Sequence, residues 1–244
     1  MKITISYNQI IYQEEHIVFE LSNLILDNPK LLTVLANIYI LIGELKQKKN
    51  LDKEKQTKNI VRRVTKKALF SGWISEEIGQ DFIRCWNEIS SENLGKVLEQ
   101  IISRIGPYDV EKFEDFHKSM EVKVTQTGMK NDFDVVFFER ESNHCYKKGE
   151  YIDISGYGEF HECKKNICTY IPKDPKSDLD KRVSNKLKFI KATYELKKDN
   201  KFYIPTFFPM VKSQREFLQD YLNGEYNFIE ILDIYQLENK IMLS

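Results

Sequence analysis

The sequence predicts an α+β (α/β) protein in which a mainly helical unit, residues 1–106, precedes a mixed unit, residues 107–244. Three observations carry that expectation. Apolar residues recur at three- and four-residue spacing from Ile17 to Ile105, the mark of helices with one buried face. From Glu121 onward, short runs such as EVKVTQT, FDVVFFE and KFYIPTFF are rich in β-branched and aromatic residues, as strands are. Gly106-Pro107 punctuates the change between the two patterns.

In the first unit, residues 3–12 (ITISYNQIIY) suit a short strand. Ile17, Leu21, Leu24 and Ile25 then mark a helix that Asn28-Pro29 stops, and Leu31–Gln47 reads as a second, more buried helix. Residues 50–57 are charged and polar and suit a loop or a frayed helix end. Lys58–Leu69 puts Ile60, Val61, Val64 and Ala68 on one side and Lys58, Arg62, Arg63, Lys66 and Lys67 on the other. After a break at Gly72-Trp73, Ser75–Ile89 is helical through Ile78, Phe82, Ile83 and Trp86. Ser91 is placed to cap Asn93–Ile105, whose Leu94, Val97, Leu98, Ile101 and Ile102 keep the helical period.

In the second unit, Val110, Phe113 and Phe116, with His117, predict a helix over Val110–Met120. Strands are expected at Glu121–Thr127 and Phe133–Glu139, with a turn over residues 128–131 between them, and again at Gly158–Lys164. Residues 141–149 read as a polar loop, and Tyr151–Ile154 as a short strand or the end of that loop. Ser177 or Asp178 is expected to cap a helix to about Lys198, striped by Leu179, Val183, Leu187, Ile190 and Tyr194. Lys201–Phe208 is strand-like, and Pro205 in it suggests an edge or a bulge. A short helix at Ser213–Leu222 and a strand at Phe228–Ile234 complete the pattern.

Composition narrows the function classes. Lys plus Arg and Asp plus Glu each number 37, so net charge gives no argument for nucleic acid, and any such argument rests on local patches. Lys46, Lys48, Lys49, Lys53 and Lys55 with the cationic side of Lys58–Leu69 form the most basic stretch. It is a solvated helix face or a phosphate-tracking patch in which Arg62, Arg63, Lys66 and Lys67 take part. The four cysteines show no C-x-x-C spacing and MKITISYNQ lacks an apolar leader core, which leads us to expect a reducing, cytoplasmic location. The apolar segment Leu31–Leu45 carries Asn37, Gly43 and Glu44 and falls short of a membrane span, so no membrane partner is expected.

The chemistry concentrates in residues 131–166. Asp134 heads the apolar run Val135–Phe138, and Glu162 and Lys164 close a second run. Side chains alternate along a strand, so Glu162 and Lys164 share a face, while His161 and Cys163 share the other. Two carboxylates and a lysine on neighbouring strands form a small hard-oxygen site that suits Mg²⁺, an ion bound through one or two carboxylates that keeps several waters. The plain alternative is a strand-end carboxylate in a salt bridge with Lys164. Asp132, two residues before Asp134, is the substitute aspartate. Glu159 falls on the opposite face unless a bulge intervenes. His144, Cys145, His161, Cys163 and Cys168 lack the paired spacing of structural zinc.

Asp134 with Glu162-Cys163-Lys164 resembles the PD-(D/E)XK nuclease superfamily, the restriction-endonuclease-like fold. Phe133 stands where that motif has its proline. The predicted order after residue 107 is similar to the family's α-β-β-β-α-β core, with the aspartate on the second strand and E-x-K on the third. The resemblance implies a metal-dependent endonuclease hydrolysing phosphodiester bonds, DNA before RNA, in a setting such as restriction or anti-phage defence. It implies Asp134 and Glu162 as ligands of Mg²⁺ (or Mn²⁺), with Lys164 orienting a water or stabilising charge on the phosphate. It also implies a glutamate from the preceding helix, Glu114, with Glu111 one turn earlier as its substitute. Lys165 and Lys186 are the expected phosphate contacts, beside Asn185. The helical unit is the expected place for a protein partner or a second copy. A catalytically silent nucleic-acid-binding or assembly subunit that keeps the fold is the alternative, and an unrelated α+β protein in which Asp134 and Lys164 merely pair is the third.

Overall fold

The computed structural model describes residues 3–10, 12–14, 16–45, 53–109, 116–126, 129–139, 145–154, 156–172, 174 and 178–243. The chain opens with strand β1 (Ile3–Ser6) and then forms helices α1 (Ile17–Asp27), α2 (Lys30–Leu45), α3 (Lys53–Phe70), α4 (Glu76–Glu88) and α5 (Ser91–Ile105). Local chemistry sets the ends of these helices. The His16 imidazole accepts from Val18 N–H at the start of α1, and Asn28-Pro29 separates α1 from α2. Ser75 and Ser90 place their hydroxyls on the Ile78 and Asn93 amides to open α4 and α5. The cap of α5 is therefore Ser90, one residue before the expected Ser91. Gly106, at φ +80° and ψ −171°, takes a positive-φ conformation that favours glycine, and α5 ends there.

The second part contributes β2 (Phe116–Gln126), β3 (Met129–Glu139), β4 (Tyr151–Ile154), β5 (Gly158–His161), α6 (Lys181–Leu196), β6 (Lys201–Pro205), α7 (Lys212–Asp220), β7 (Ile229–Leu232) and α8 (Ile234–Leu243). The strands form one seven-stranded mixed sheet in the order β4-β1-β2-β3-β5-β6-β7. Pairing is antiparallel from β4 through β5 and parallel across β5, β6 and β7. Parallel neighbours need a crossover, and α6 supplies it between β5 and β6, as α7 does between β6 and β7.

Helices cover both faces of the sheet. Residues of α1–α5 and α8, including Leu21, Leu35, Phe82, Leu98 and Leu237, share one core with Met120, Val135, Phe137 and Tyr203. Val183, Leu187 and Ile190 of α6 and Phe217 of α7 share the other with Phe133, Val136, Phe160 and Phe202. The division expected at 106/107 falls between α5 and β2. Across it, β1 pairs with β2 and β4, and the N-terminal helices bury their apolar sides against the sheet.

Several expectations need correction. Phe116–Met120 belongs to β2 and not to a helix, because it pairs with Val135–Glu139 of β3 in continuous register. The helical spacing of Phe113, Phe116 and His117 was outweighed by a ladder that also takes up Met129–Asn131, placed above in a turn. Glu111 and Glu114 lie outside the described residues. The helix after Pro172 begins at Lys181 and is capped by the Asp180 carboxylate on Arg182 N–H, not by Ser177 or Asp178. Pro205 is in neither an edge strand nor a bulge. It is the last residue of β6, between β5 and β7, where its carbonyl accepts from Lys164 N–H and Thr206 N–H bonds to Leu232 O. Helix α8 was not expected. It starts at Asp233-x-x-Gln236, a capping box in which Asp233 Oδ1 accepts from Tyr235 and Gln236 N–H and Gln236 Oε1 accepts from Asp233 N–H. Among the described residues no single helix is long and apolar enough to cross a membrane.

Candidate metal and phosphate site

The register of β3 and β5 brings the site together. Val135 pairs with His161, so Asp134 lies one step further along, opposite Glu162. Regular strand β5 ends at His161, before the expected Lys164, but the chain keeps its parallel bonds to β6. Glu162 N–H donates to Tyr203 O (3.0 Å) and Lys164 N–H to Pro205 O (2.9 Å). The amide between them turns the other way, and Cys163 N–H donates to Asp134 Oδ2 at 2.6 Å. The Asp134 carboxylate thus takes the bond that the next carbonyl of a continuing ladder would have taken.

Lys164 Nζ stands where three oxygens converge. It lies 2.5 Å from Glu162 Oε1, 3.2 Å from the Cys163 carbonyl oxygen and 3.7 Å from Asp134 Oδ2, above the Tyr170 ring. The other Glu162 oxygen is held by Lys186 Nζ at 2.7 Å. That ammonium also donates to the Asp132 carbonyl and to Asn131 Oδ1 and lies over the Phe133 ring. A cavity of about 590 Å³ opens beside the cluster, lined by Glu162, Lys164, Lys186, Tyr170 and Asn185.

Burial pushes the Asp134 carboxyl up, and the neighbouring Glu162 charge adds to it. Lys164, Lys186 and the Cys163 amide pull the other way, and the result is a value of about 6. Burial works to lower Lys164, but the Glu162 and Asp134 carboxylates outweigh it and hold its ammonium above the ordinary lysine range. Lys164 is therefore a fixed cation at neutral pH and not a proton acceptor. Burial and the same carboxylates keep Tyr170 a neutral phenol.

The donor set suits a hard cation. Glu162, Asp134 and the Cys163 carbonyl oxygen surround the point now taken by the Lys164 ammonium, so those oxygens already balance a positive charge. Among the described residues no three His, Cys, Asp or Glu side chains gather to hold a metal. Two carboxylates and one carbonyl are too few to ligate an ion fully, so an ion held there would have to keep waters, as Mg²⁺ does.

The structure thus joins Asp134, Glu162, Lys164 and Lys186. Lys165 goes elsewhere and donates to the Ser91 carbonyl (2.5 Å) and hydroxyl at the start of α5. Arg62, Arg63, Lys66 and Lys67 lie exposed along α3 opposite its buried Ile60, Val61 and Val64. Asp132 is exposed, and its side chain is 3.6 Å from Lys186. Of the zinc set, His161 is bound to Glu159, Cys163 is a buried thiol raised well above its ordinary pKa by that burial, and His144 lies outside the described residues. Sequence reading missed Tyr170 and the Cys163 carbonyl, which carry no motif, and Asn131, whose amide helps seat Lys186.

No protein-family model matches the chain, and no curated protein matches it. Among solved structures it is similar to Can2 from Sulfobacillus thermosulfidooxidans in complex with cyclic tetra-adenylate (cA4), at 13% identity and a TM-score of 0.39. The match covers 92% of this chain and 55% of that one, so this chain spans about half the length of that protein. A likeness this loose assigns neither a fold family nor a ligand.

Proposed function

We propose that the protein is a metal-dependent nuclease of the PD-(D/E)XK type, hydrolysing phosphodiester bonds of nucleic acid, DNA before RNA. The observation that carries this reading is the convergence of Asp134, Glu162 and the Cys163 carbonyl on one point, with Lys164 at that point and a cavity beside it. The element order supports it. Helix α5, strands β2, β3 and β5, helix α6 and strand β6 read α-β-β-β-α-β with β4 inserted, Asp134 on the second of those strands and Glu162 just past the third.

In this reading Asp134, Glu162 and the Cys163 carbonyl would hold Mg²⁺ (or Mn²⁺), which would supply a more acidic water and positive charge for the phosphate oxygens. Lys164 would donate to a phosphate oxygen as negative charge develops there. Lys186 holds the far oxygen of Glu162 and so fixes the carboxylate's orientation. The α3 cations Arg62, Arg63, Lys66 and Lys67 track the backbone, and charge reversal at all four weakens binding and flattens its salt dependence.

One observation favours a second reading. Both Glu162 oxygens are already neutralised by lysines, as in a silent nucleic-acid-binding subunit that keeps the fold. A cleavage assay separates the two, using plasmid, linear duplex, single-stranded DNA and RNA with Mg²⁺ or Mn²⁺. Metal-dependent cleavage that disappears in Lys164→Ala and in EDTA is the nuclease outcome. Binding without cleavage by the folded protein is the outcome of the silent subunit.

A further inference from the structure

A second cavity, of about 610 Å³, lies beside the carboxylate site and plays no part in the reaction outlined above. Its walls come from α2 (Tyr39), the first turns of α3 (Lys53, Lys58), the end of α4 (Trp86, Asn87), the start of α5 and the segment that follows Lys164. Three features point to its occupant. It offers aromatic surface, since Trp86 and Tyr39 are only partly buried. It is cationic, with Lys53, Lys58 and Lys165 on its wall and Glu54 paired to Lys58 at 2.7 Å. The amino ends of α3 and α5, helices of 18 and 15 residues, both border it, and such ends favour anions. It also adjoins the carboxylate site. Thr169 lines both cavities, and the adjacent residues Lys164 and Lys165 put one cation on each.

Resting on the nuclease reading for the identity of the strand, we propose that this cavity is a nucleotide subsite: it takes one nucleotide of the strand being cleaved, the base against Trp86 and its phosphate beside Lys165, Lys58 and Lys53. A base inside a duplex has both faces stacked and its edge paired, so it cannot enter. The substrate is therefore single-stranded, or frayed, next to the scissile phosphate. An aromatic platform with flanking lysines binds any base, because every base has a π-face. The volume lies within the range of small-ligand pockets. A duplex-reading surface would be a groove of cations without a walled aromatic pocket.

The chain has two tryptophans, and Trp73, 45% exposed after α3, lines neither cavity. Trp73→Phe therefore leaves Trp86 as sole reporter. In EDTA, oligothymidylate or oligouridylate of roughly ten nucleotides is expected to quench Trp86 emission saturably, about tenfold more tightly than a duplex of equal length or free TMP and UMP. The exposed pair Lys53→Glu/Lys58→Glu, which disturbs no core residue, is expected to weaken that binding about tenfold. Single strands that bind by anisotropy without quenching Trp86, or with undiminished affinity in the lysine variant, overturn the subsite. Equal affinity for TMP or UMP overturns the strand as its occupant and leaves a free-nucleotide site. Cleavage is read separately. If Lys164→Ala abolishes it while Trp86→Leu keeps kcat/KM on single strands within about twofold, the subsite fails and the nuclease reading stands. Quenching by strands with no cleavage by the wild type is the reverse case.

Discussion

Glu159 and Glu162 stand three residues apart, each followed after one residue by a basic side chain, yet the fold uses them differently. Glu159 is fully buried. Its Oε1 accepts from Tyr108 N–H and meets His161 Nε2, both at 2.6 Å, and its Oε2 accepts from Asp109 N–H at 3.1 Å. His161 is wedged edge-on against Phe137 and stacked on Tyr203, inside the core beneath the N-terminal helices. Glu162 is nearly as buried, but its partners are two flexible ammonium groups at the wall of an open cavity. Glu159-x-His161 closes the fold around residues 108–109. Glu162-x-Lys164 keeps its charges where a ligand can exchange for them. A buried carboxylate is therefore a functional signal only when its partners can be displaced.

The largest expected effect tests the structural half of that contrast. Glu159→Ala strands the Tyr108 and Asp109 amides and the buried His161, and should cost about 3–5 kcal/mol in urea unfolding. Glu162→Ala should cost about 1–3 kcal/mol, because Lys186 keeps the Asp132 carbonyl and Asn131. Equal losses at the two positions would erase the distinction. The next effect is on chemistry. Lys164→Ala and Glu162→Gln should each lower cleavage by on the order of 10²–10³-fold, while Glu159→Gln, assayed per folded molecule, should stay within about threefold. Comparable losses in all three would place Glu159 in the reaction.

Added Mg²⁺ sharpens the comparison without an activity assay. At about 100 times its dissociation constant it should stabilise the wild type by about 2.7 kcal/mol, read as a rise in Tm. Asp134→Asn and Glu162→Gln should lose that rise and Glu159→Gln should keep it. The smallest effect is a pH dependence in EDTA. The Asp134 carboxyl is raised from 3.8 to about 6 on folding, so between those values the native state binds a proton that the unfolded state has lost. The Asp134 contribution to stability should therefore fall as pH rises from 3.8 to 6, and Asp134→Asn should remove that contribution. After allowance for solvent screening, the variant should gain about 1–2 kcal/mol over the wild type at pH 7.5 and nothing at pH 3.5. A gain that is constant with pH would mean that packing, not charge, sets the cost of Asp134.

The helices of the first half were legible because their signals are local: stripes at helical period, a serine before α4 and α5, a proline after α1 and a glycine after α5. Phe116–Met120 was misread for the complementary reason. Its Phe116 and Met120 spacing fits a helix as well as a strand, and the choice was made by β3, whose partner residues lie up to 23 positions away in Phe116↔Glu139. Helix α8 was legible in principle, since Asp233-x-x-Gln236 is a capping box.

Asp134, Glu162 and Lys164 were picked out by residue type and by the two-residue period of a strand, which is a local property of the chain. That period also put Glu159 on the other face, where the structure finds it. What the sequence alone determined is therefore the inventory: which carboxylates and lysines are available, and which of them share a side of the same strand. The tertiary structure decided the pairing. It set Lys186 against Glu162 while sending Lys165 to Ser91, gave the Cys163 amide to Asp134, and laid the N-terminal helices over the sheet so that Trp86 and Lys165 share a cavity. Those outcomes depend on which distant surfaces bury one another, and no spacing along the chain encodes a distance between elements.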